Sequence, residues 1–386
     1  MATLLLAEQV FTPLDAIHHG AILIEEGTIV AVGDRTFIDL PTNTKSVDFG
    51  NALLAPGLID LHVHGGAGHD VMEASDSRLC VIERHMARHG VTSYCPTTVT
   101  APIAKTLDSL NVLAANIESS SKHDATRARP LGIHLEGPFL SHAKRGVHPS
   151  SLLQPASIEL FERMWQAAAG QINLLTIAPE IEGALDLISQ ATCRGIRVSL
   201  GHSDADLAQA QAGIAAGASH ATHTFNAMRA LDHRDPGLLG AVLTDNSLTA
   251  DIIVDGIHVD PVIVELFVRA KGIADSVLIT DAISATGMPD GTYTLGDLVV
   301  QVHNGRCESD GRLAGSVLTL DRAIRNTTQF ANIPLLHAIR MASFNPARVL
   351  GLENRKGLLT PGADADITVF TNSGEVRQTI IGGVIT

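Results

Sequence analysis

A chain of 386 residues with a formal charge of −14 lacks the basic face that phosphate-backbone binding needs, which argues against a nucleic-acid partner. Apolar residues make up 45 % and charged residues 18 %, and no apolar run reaches the roughly 18–20 residues of a membrane span. Aromatics are only 3 %, which leaves the core to Ala, Val, Ile and Leu and suits buried parallel strands covered by helices.

The apolar run within residues 1–8 is too short for a signal peptide and follows no basic region. Cys80, Cys95, Cys193 and Cys307 form no C-x-x-C pair, so reduced thiols in a soluble cytoplasmic protein are expected. Along the first 55 residues, 21–25, 27–33 and 45–49 read as short strands punctuated by Gly and Asp. The middle then alternates. Strands are expected at 58–64, 91–97, 131–136, 173–178, 196–200, 220–223, 249–254 and 277–281. Helix-like stretches at 76–89, 103–117, 157–169, 182–194, 204–216 and 261–271 separate most of them. After the eighth strand, 292–313 reads as a β-hairpin insertion, followed by helices near 317–331 and 334–349. Residues 357–370 and 378–381 are again strand-like.

This order predicts an α/β chain: a (β/α)8 TIM barrel over 56–356, and a small β-sandwich domain formed from both chain termini, 1–55 with 357–386. A doubly wound open sheet is the alternative from pattern alone, although no Gly-rich dinucleotide loop follows the first strand.

Six side chains suited to metal binding or proton transfer fall at the C-terminal ends of five of these strands. His62 and His64, two apart on one strand, project from the same face. Glu136 ends Gly132-Ile-His-Leu-Glu, His202 follows Val198-Ser-Leu-Gly, His223 ends His220-Ala-Thr-His, and Asp281 ends Val277-Leu-Ile-Thr-Asp. A lone His at a strand end usually reads as a hydrogen-bonded structural residue, and His-x-His alone is a modest signal. All six at the face where barrel enzymes collect their catalytic groups are hard to obtain by chance.

Nitrogen and carboxylate donors without sulfur suit zinc or another first-row divalent ion, and Glu136, with two oxygens, is able to bridge two. Such an ion lowers the pKa of bound water to roughly 7, which makes Asp281 the natural base and later the acid. His258, after the seventh strand, is expected to reach the same mouth. His134 reads as core or as support behind the ligands, and His148 as a substrate contact from a loop. His18, His19, His85, His89, His123, His142, His303 and His337 read as surface residues. Arg234, just past His223, is a reasonable anion anchor in an otherwise acidic chain.

Pro56-Gly-Leu-Ile-Asp-Leu-His-Val-His-Gly, with Pro361-Gly-Ala-Asp-Ala-Asp-Ile, resembles the amidohydrolase superfamily. His134-Leu-Glu-Gly-Pro-Phe, Gly201-His-Ser, Thr222-His-Thr-Phe-Asn-Ala-Met, Asp255-Gly-Ile-His and Thr280-Asp-Ala-Ile-Ser-Ala-Thr-Gly resemble, more narrowly, its N-acetylglucosamine-6-phosphate deacetylase family. The resemblance spans essentially the whole chain. It implies hydrolysis of the acetamido group of a phosphorylated amino sugar, giving glucosamine 6-phosphate and acetate. It also implies Glu136, His202 and His223 as the better-populated metal site, His62 and His64 with Glu136 as a second, and Asp281 as the acid–base residue. His258 would contact the sugar or polarise the amide carbonyl. Val147, His148, Asn226, Ala227, Leu313, Ala314 and Gly315 match substrate-contacting segments. Arg234 matches an arginine that reaches the substrate phosphate of a neighbouring subunit, which implies a homodimer. No lysine is placed to serve as a carboxylated bridge, consistent with Glu136 in that place. The galactosamine epimer is the nearest rival substrate; cyclic-amide or deaminase chemistry on the same scaffold is more distant, and a non-catalytic sugar-phosphate-binding barrel is a rival of another class.

Overall fold

Eight parallel strands close into a barrel in the computed structural model, which describes residues 2–13, 15–73, 75–120 and 124–385. They are β1 (Leu58–Val63), β2 (Val91–Thr98), β3 (Ile133–Glu136), β4 (Ile172–Ile177), β5 (Arg197–Leu200), β6 (His220–Ala221), β7 (Thr249–Ile253) and β8 (Ser276–Ile279). Each pairs in parallel with the next. The ring closes where Val63 bridges Ala282 and the Asp281 amide donates to the His62 carbonyl at 2.9 Å. Closure removes the open-sheet alternative.

The crossovers carry α1 (Asp76–Arg88), α2 (Ile103–Ser119), α3 (Ile158–Ala167), α4 (Ala184–Cys193), α5 (Leu207–Ala215), α6 (Gly237–Thr244), α7 (Pro261–Lys271) and α8 (Leu320–Phe330). Local chemistry fixes several ends. Asp206 and Gln209 form a capping box on α5, and Asp260 caps α7 ahead of its N-terminal proline. Helix α6 escapes the sequence pattern because Gly-Leu-Leu-Gly-Ala-Val-Leu-Thr is apolar almost all round, with six of its residues buried. The helix expected over 334–349 is two, Leu335–Met341 and Phe344–Val349.

Ile133, Leu135, Leu175, Val198, Ile252 and Ile279 are fully buried in the apolar cluster shared with the helices. Inside the barrel the side chains are instead polar and mutually bonded. Thr176 Oγ1 lies 2.8 Å from Thr222 Oγ1, which lies 2.5 Å from Ser199 Oγ, and His220 Nε2 lies 3.0 Å from Asp251 Oδ2. Small hydroxyl residues occupy the lumen, and these buried polar groups bond one another.

Both termini build the accompanying sheets. One has the order 28–34, 20–25, 3–6, 45–48; the other runs 384–385, 376–381, 367–370, 53–56, 9–11, 16–18. Leu5, Val10, Ile22, Ile29, Leu54, Ile367, Val369 and Ile380 form their common core. Strands Thr3–Leu6, Gln9–Phe11 and Leu53–Pro56 were not predicted, and of 357–370 only Ile367–Phe370 is a strand. Turns at Gly357 and Gly362, at φ 71° and 91°, interrupt the rest. The insertion folds as four short antiparallel strands over 291–313 rather than one hairpin, with Gly296, Gly305 and Gly311 at positive φ in its turns.

His18, His19, His142, His303 and His337 are exposed, as expected, while His123 lies outside the described residues. His85 and His89 are not surface residues. One helical turn apart, on the last turn of α1 and at its C-cap, they are half-buried with ring centroids 4.8 Å apart, and His89 Nδ1 pairs with Asp321 Oδ1 of α8 at 3.1 Å. Burial first, then the charges of His89 and Arg88, pushes the His85 imidazole down to about 4 from 6.5. The fold therefore favours neutral His85, a stabilisation present above pH 6.5 and lost as pH falls through about 4. The Tm advantage of the wild type over His85→Gln is expected to shrink across that window. A gap that stays constant with pH would refute the assignment.

Candidate active site

The alternation of β1 brings both its histidines to the barrel mouth, with Nε2 of His62 3.0 Å from Nε2 of His64. Asp60, two residues earlier, accepts from Thr280 Oγ1 at 2.7 Å and ties β1 to β8 beneath them. Burial pushes its carboxyl up to about 7. The other site residues need sharper turns. His202, His223 and Asp281 sit just past their strands at φ 48°, 33° and 52°, a left-handed region that costs a non-glycine residue about 1–3 kcal/mol. Hydrogen bonds offset that strain. The buried Asp251 carboxylate accepts the His223 amide, and the Asp281 backbone bonds both His62 O (2.9 Å) and Ser316 N (2.8 Å).

Around Glu136 the donor atoms converge. Oε1 lies 3.4 Å from His62 Nε2, 3.4 Å from His202 Nε2 and 3.2 Å from His223 Nε2, and Oε2 lies 3.3 Å from His64 Nε2. His202 and His223 are 3.0 Å apart through Nε2, and Asp281 Oδ1 is 3.2 Å from His64 and 3.5 Å from His62. Ligands about 2.0–2.1 Å from one tetrahedral ion stand about 3.3 Å from each other, so these separations match the edges of a coordination shell.

The tautomers agree. His64 Nδ1 faces the Thr97 carbonyl at 3.1 Å and His202 Nδ1 the Lys144 carbonyl at 3.0 Å. A carbonyl only accepts, so each Nδ1 carries the proton and each Nε2 offers a lone pair to the centre. Charge points the same way. Against the cost of burial, hydrogen bonds to the Asp281 and Glu136 carboxylates hold His64 up at about 10, and one to Glu136 holds His223 up at about 9. Burial dominates at His202 and pushes it down to about 4. Although burial opposes ionisation, surrounding histidines hold Glu136 and Asp281 well below the usual carboxylate range. The cluster calls for positive charge, and a divalent cation held by His62, His64, Glu136, His202 and His223 fits these donors.

His148 also reaches Glu136 Oε2, at 3.6 Å, and shares a candidate cation cluster with Glu136 and His202. The Thr100 hydroxyl lies 2.7 Å and the Thr100 amide 3.4 Å from His148 Nδ1, which holds the ring with Nε2 toward Glu136. His134 is fully buried and bonded on both nitrogens, to Leu61 O at 3.1 Å and Thr176 Oγ1 at 2.7 Å, with its ring against His62. It supports the floor, as its position two residues before Glu136 suggests.

A cavity of about 310 Å³, in the range of small-molecule sites, opens above this floor. Val147, His148, Asn226, Ala227, His258, Leu313 and Gly315 line it together with Glu136, His202, His223 and Asp281. His258 Nδ1 binds Asp255 Oδ2 at 2.7 Å, which leaves Nε2 as its other polar atom. Ala314 is buried in the core of the insertion, and Arg234 is exposed and absent from the cavity wall of its own chain. Sequence reasoning missed Asp60, Asp251 and Arg312. The first is in phase with His62, and the third directly precedes Leu313; Asp251 carries no local signal, because only the barrel brings it beside His223.

Residues 53–386 match the model of the amidohydrolase family. The chain is 40 % identical to an N-acetylglucosamine-6-phosphate deacetylase of Vibrio furnissii, over 93 % of this chain and 88 % of that protein. It is 37 % identical to an N-acetylgalactosamine-6-phosphate deacetylase of Escherichia coli O157:H7, over 99 % of both. A solved structure of a mutant N-acetyl-D-glucosamine-6-phosphate deacetylase from Mycobacterium smegmatis, in complex with N-acetyl-D-glucosamine-6-phosphate, superposes with a TM-score of 0.92 at 34 % identity, covering 100 % of this chain and 99 % of that one. With its donors gathered at the C-terminal mouth of a closed barrel, the chain belongs to the amidohydrolase family, on the branch occupied by deacetylases of phosphorylated N-acetyl amino sugars.

Proposed function

We propose that this chain hydrolyses the N-acetyl group of N-acetylglucosamine 6-phosphate to glucosamine 6-phosphate and acetate, in amino-sugar catabolism. The observation that carries the reading is an ionised Asp281 within 3.5 Å of a five-residue His/Glu donor cluster, at the base of a cavity sized for a small molecule. Similarity to relatives of that activity over nearly the whole chain supports the substrate.

Zinc is the proposed ion, given a nitrogen and carboxylate set without sulfur. Glu136, His202 and His223 form its main site, and His62 and His64 with Glu136 a second. When bound, such an ion acidifies water and polarises a carbonyl oxygen. The remaining work falls to side chains. Asn226, Ala227 and the Val147–His148 loop orient the sugar, and Leu313 and Gly315 wall it from solvent. Asp281 takes a proton from the attacking water as its oxygen bonds to the carbonyl carbon. His258, held through Nδ1 by the Asp255 carboxylate, turns Nε2 toward the oxygen on which charge develops. Asp281 then returns the proton to the nitrogen as the C–N bond breaks, releasing the amine and acetate.

The catalytic unit is proposed to span 56–356, in a homodimer whose Arg234 reaches the partner's cavity. All four cysteines are free thiols, which supports a cytoplasmic setting, and no helix among the described residues is long and apolar enough to cross a membrane. Acetate release from N-acetylglucosamine 6-phosphate, its galacto-epimer and both unphosphorylated sugars, alongside metal content, tests the function. Release is expected to be fastest from the first, in protein carrying one or two ions per chain. Purified metal-loaded protein that releases none would overturn the reading.

A further inference from the structure

The floor of the cavity carries the His/Glu donor cluster and Asp281, all buried, with Asp255 behind His258. Among the residues that line it, Arg312 is the single side chain with a permanent positive charge, and it stands at the exposed end. Arg312 begins the last strand of the insertion, Arg312–Leu313, and its Nη1 donates to the Gly146 carbonyl at 2.8 Å. Gly146 belongs to the loop that covers His202. A Cβ on Gly146 would stand 3.2 Å from His202 Cε1, and neighbouring Lys144 O holds His202 Nδ1. Arg312 thus joins the two walls of the cavity with one N–H of its fork.

Of the other cations on these loops, three have partners of their own, and Arg234 lies outside the cavity wall of its own chain. Arg145 Nη1 donates to His148 O at 2.6 Å, Lys144 Nζ lies 3.7 Å from Asp204, and Arg229 pairs with Asp235 at 2.5 Å.

We propose that Arg312 is a specificity-determining residue that holds the substrate's phosphate from within the same chain. The inference rests on the sugar-phosphate reading above. Deacetylation at Asp281 requires the acetamide at the floor, which leaves the phosphate at the open end beside the guanidinium, whose planar fork matches two phosphate oxygens. The substrate therefore enters acetamide first. Rim charge selects the phosphorylated sugar and also sets which end meets Asp281. The insertion, which the barrel itself does not require, supplies that charge.

The test compares wild type, Arg312→Ala and Arg312→Lys on N-acetylglucosamine 6-phosphate and N-acetylglucosamine. The ratio of kcat/KM for the phosphorylated over the plain sugar is expected to fall about ten- to hundredfold in Arg312→Ala, the range for a lost charged hydrogen bond, with partial retention in Arg312→Lys. Calorimetric affinities for glucosamine 6-phosphate against glucosamine should show the same fall in ratio. An unchanged ratio, or equal losses on both sugars as from a merely displaced Gly146 loop, would overturn the role of Arg312. If the wild type releases acetate from no phosphorylated sugar, the proposed function falls instead, and the calorimetric ratio still decides Arg312.

Discussion

Asp281→Asn is expected to lower kcat by about 10²–10⁴ while leaving metal content and KM close to those of the wild type. The carboxylate stands 3.2 Å from His64 Nε2, at the edge of the donor cluster where the attacking water has to lose its proton. An amide of the same shape keeps the packing and cannot carry that proton. Asn is also the apt probe for the backbone. Position 281 lies at φ 52°, a conformation Asn tolerates better than most residues, so the substitution adds little strain to a strand end that is already strained. Acetate release and ions per chain, measured on the same preparation, decide the matter. Near-normal turnover would remove Asp281 from the mechanism, and loss of metal in parallel with activity would make it a ligand first.

Glu136→Gln is expected to reach further, because one carboxylate faces both histidine pairs. Four histidine Nε2 atoms of the cluster lie within 3.4 Å of its two oxygens. An amide keeps one oxygen but loses the charge, and its NH2 group then points at lone pairs. Removing one partner from a buried charged cluster costs about 3–5 kcal/mol, or more than a hundredfold in metal affinity. Protein purified as Glu136→Gln should carry little metal and lack activity. Added zinc should raise the Tm of metal-stripped wild type, since an ion that binds only the folded state stabilises it by mass action, and should leave that of the variant nearly unchanged. A variant that binds metal as well as the wild type would show that Glu136 is not a ligand.

Much of the barrel was legible because its signal is local. All eight barrel strands begin and end within two residues of where apolar runs and turn residues place them, and α7 coincides with its expected span. What failed did so for physical reasons. Helix α6 has no polar face to give it a period, and Thr3–Leu6 is an apolar run whose partners, 20–25 and 45–48, lie far along the chain. The insertion reads as one hairpin until its glycine turns are seen to divide it into four strands.

By itself the sequence determined which side chains meet: His62, His64, Glu136, His202, His223 and Asp281 follow apolar strands, and strand ends of a parallel barrel share one face. Only the tertiary structure decided how they are arranged. It set the separations near 3.3 Å that suit an ion, the Nδ1 partners that turn Nε2 inward, and the left-handed turns that aim three of the six. It also brought Asp251 to His223, and Arg312 to the rim of a cavity whose floor lies on other strands. Periodicity along a strand reports which face a side chain occupies, whereas distance, tautomer and field depend on residues that only the closed ring makes neighbours.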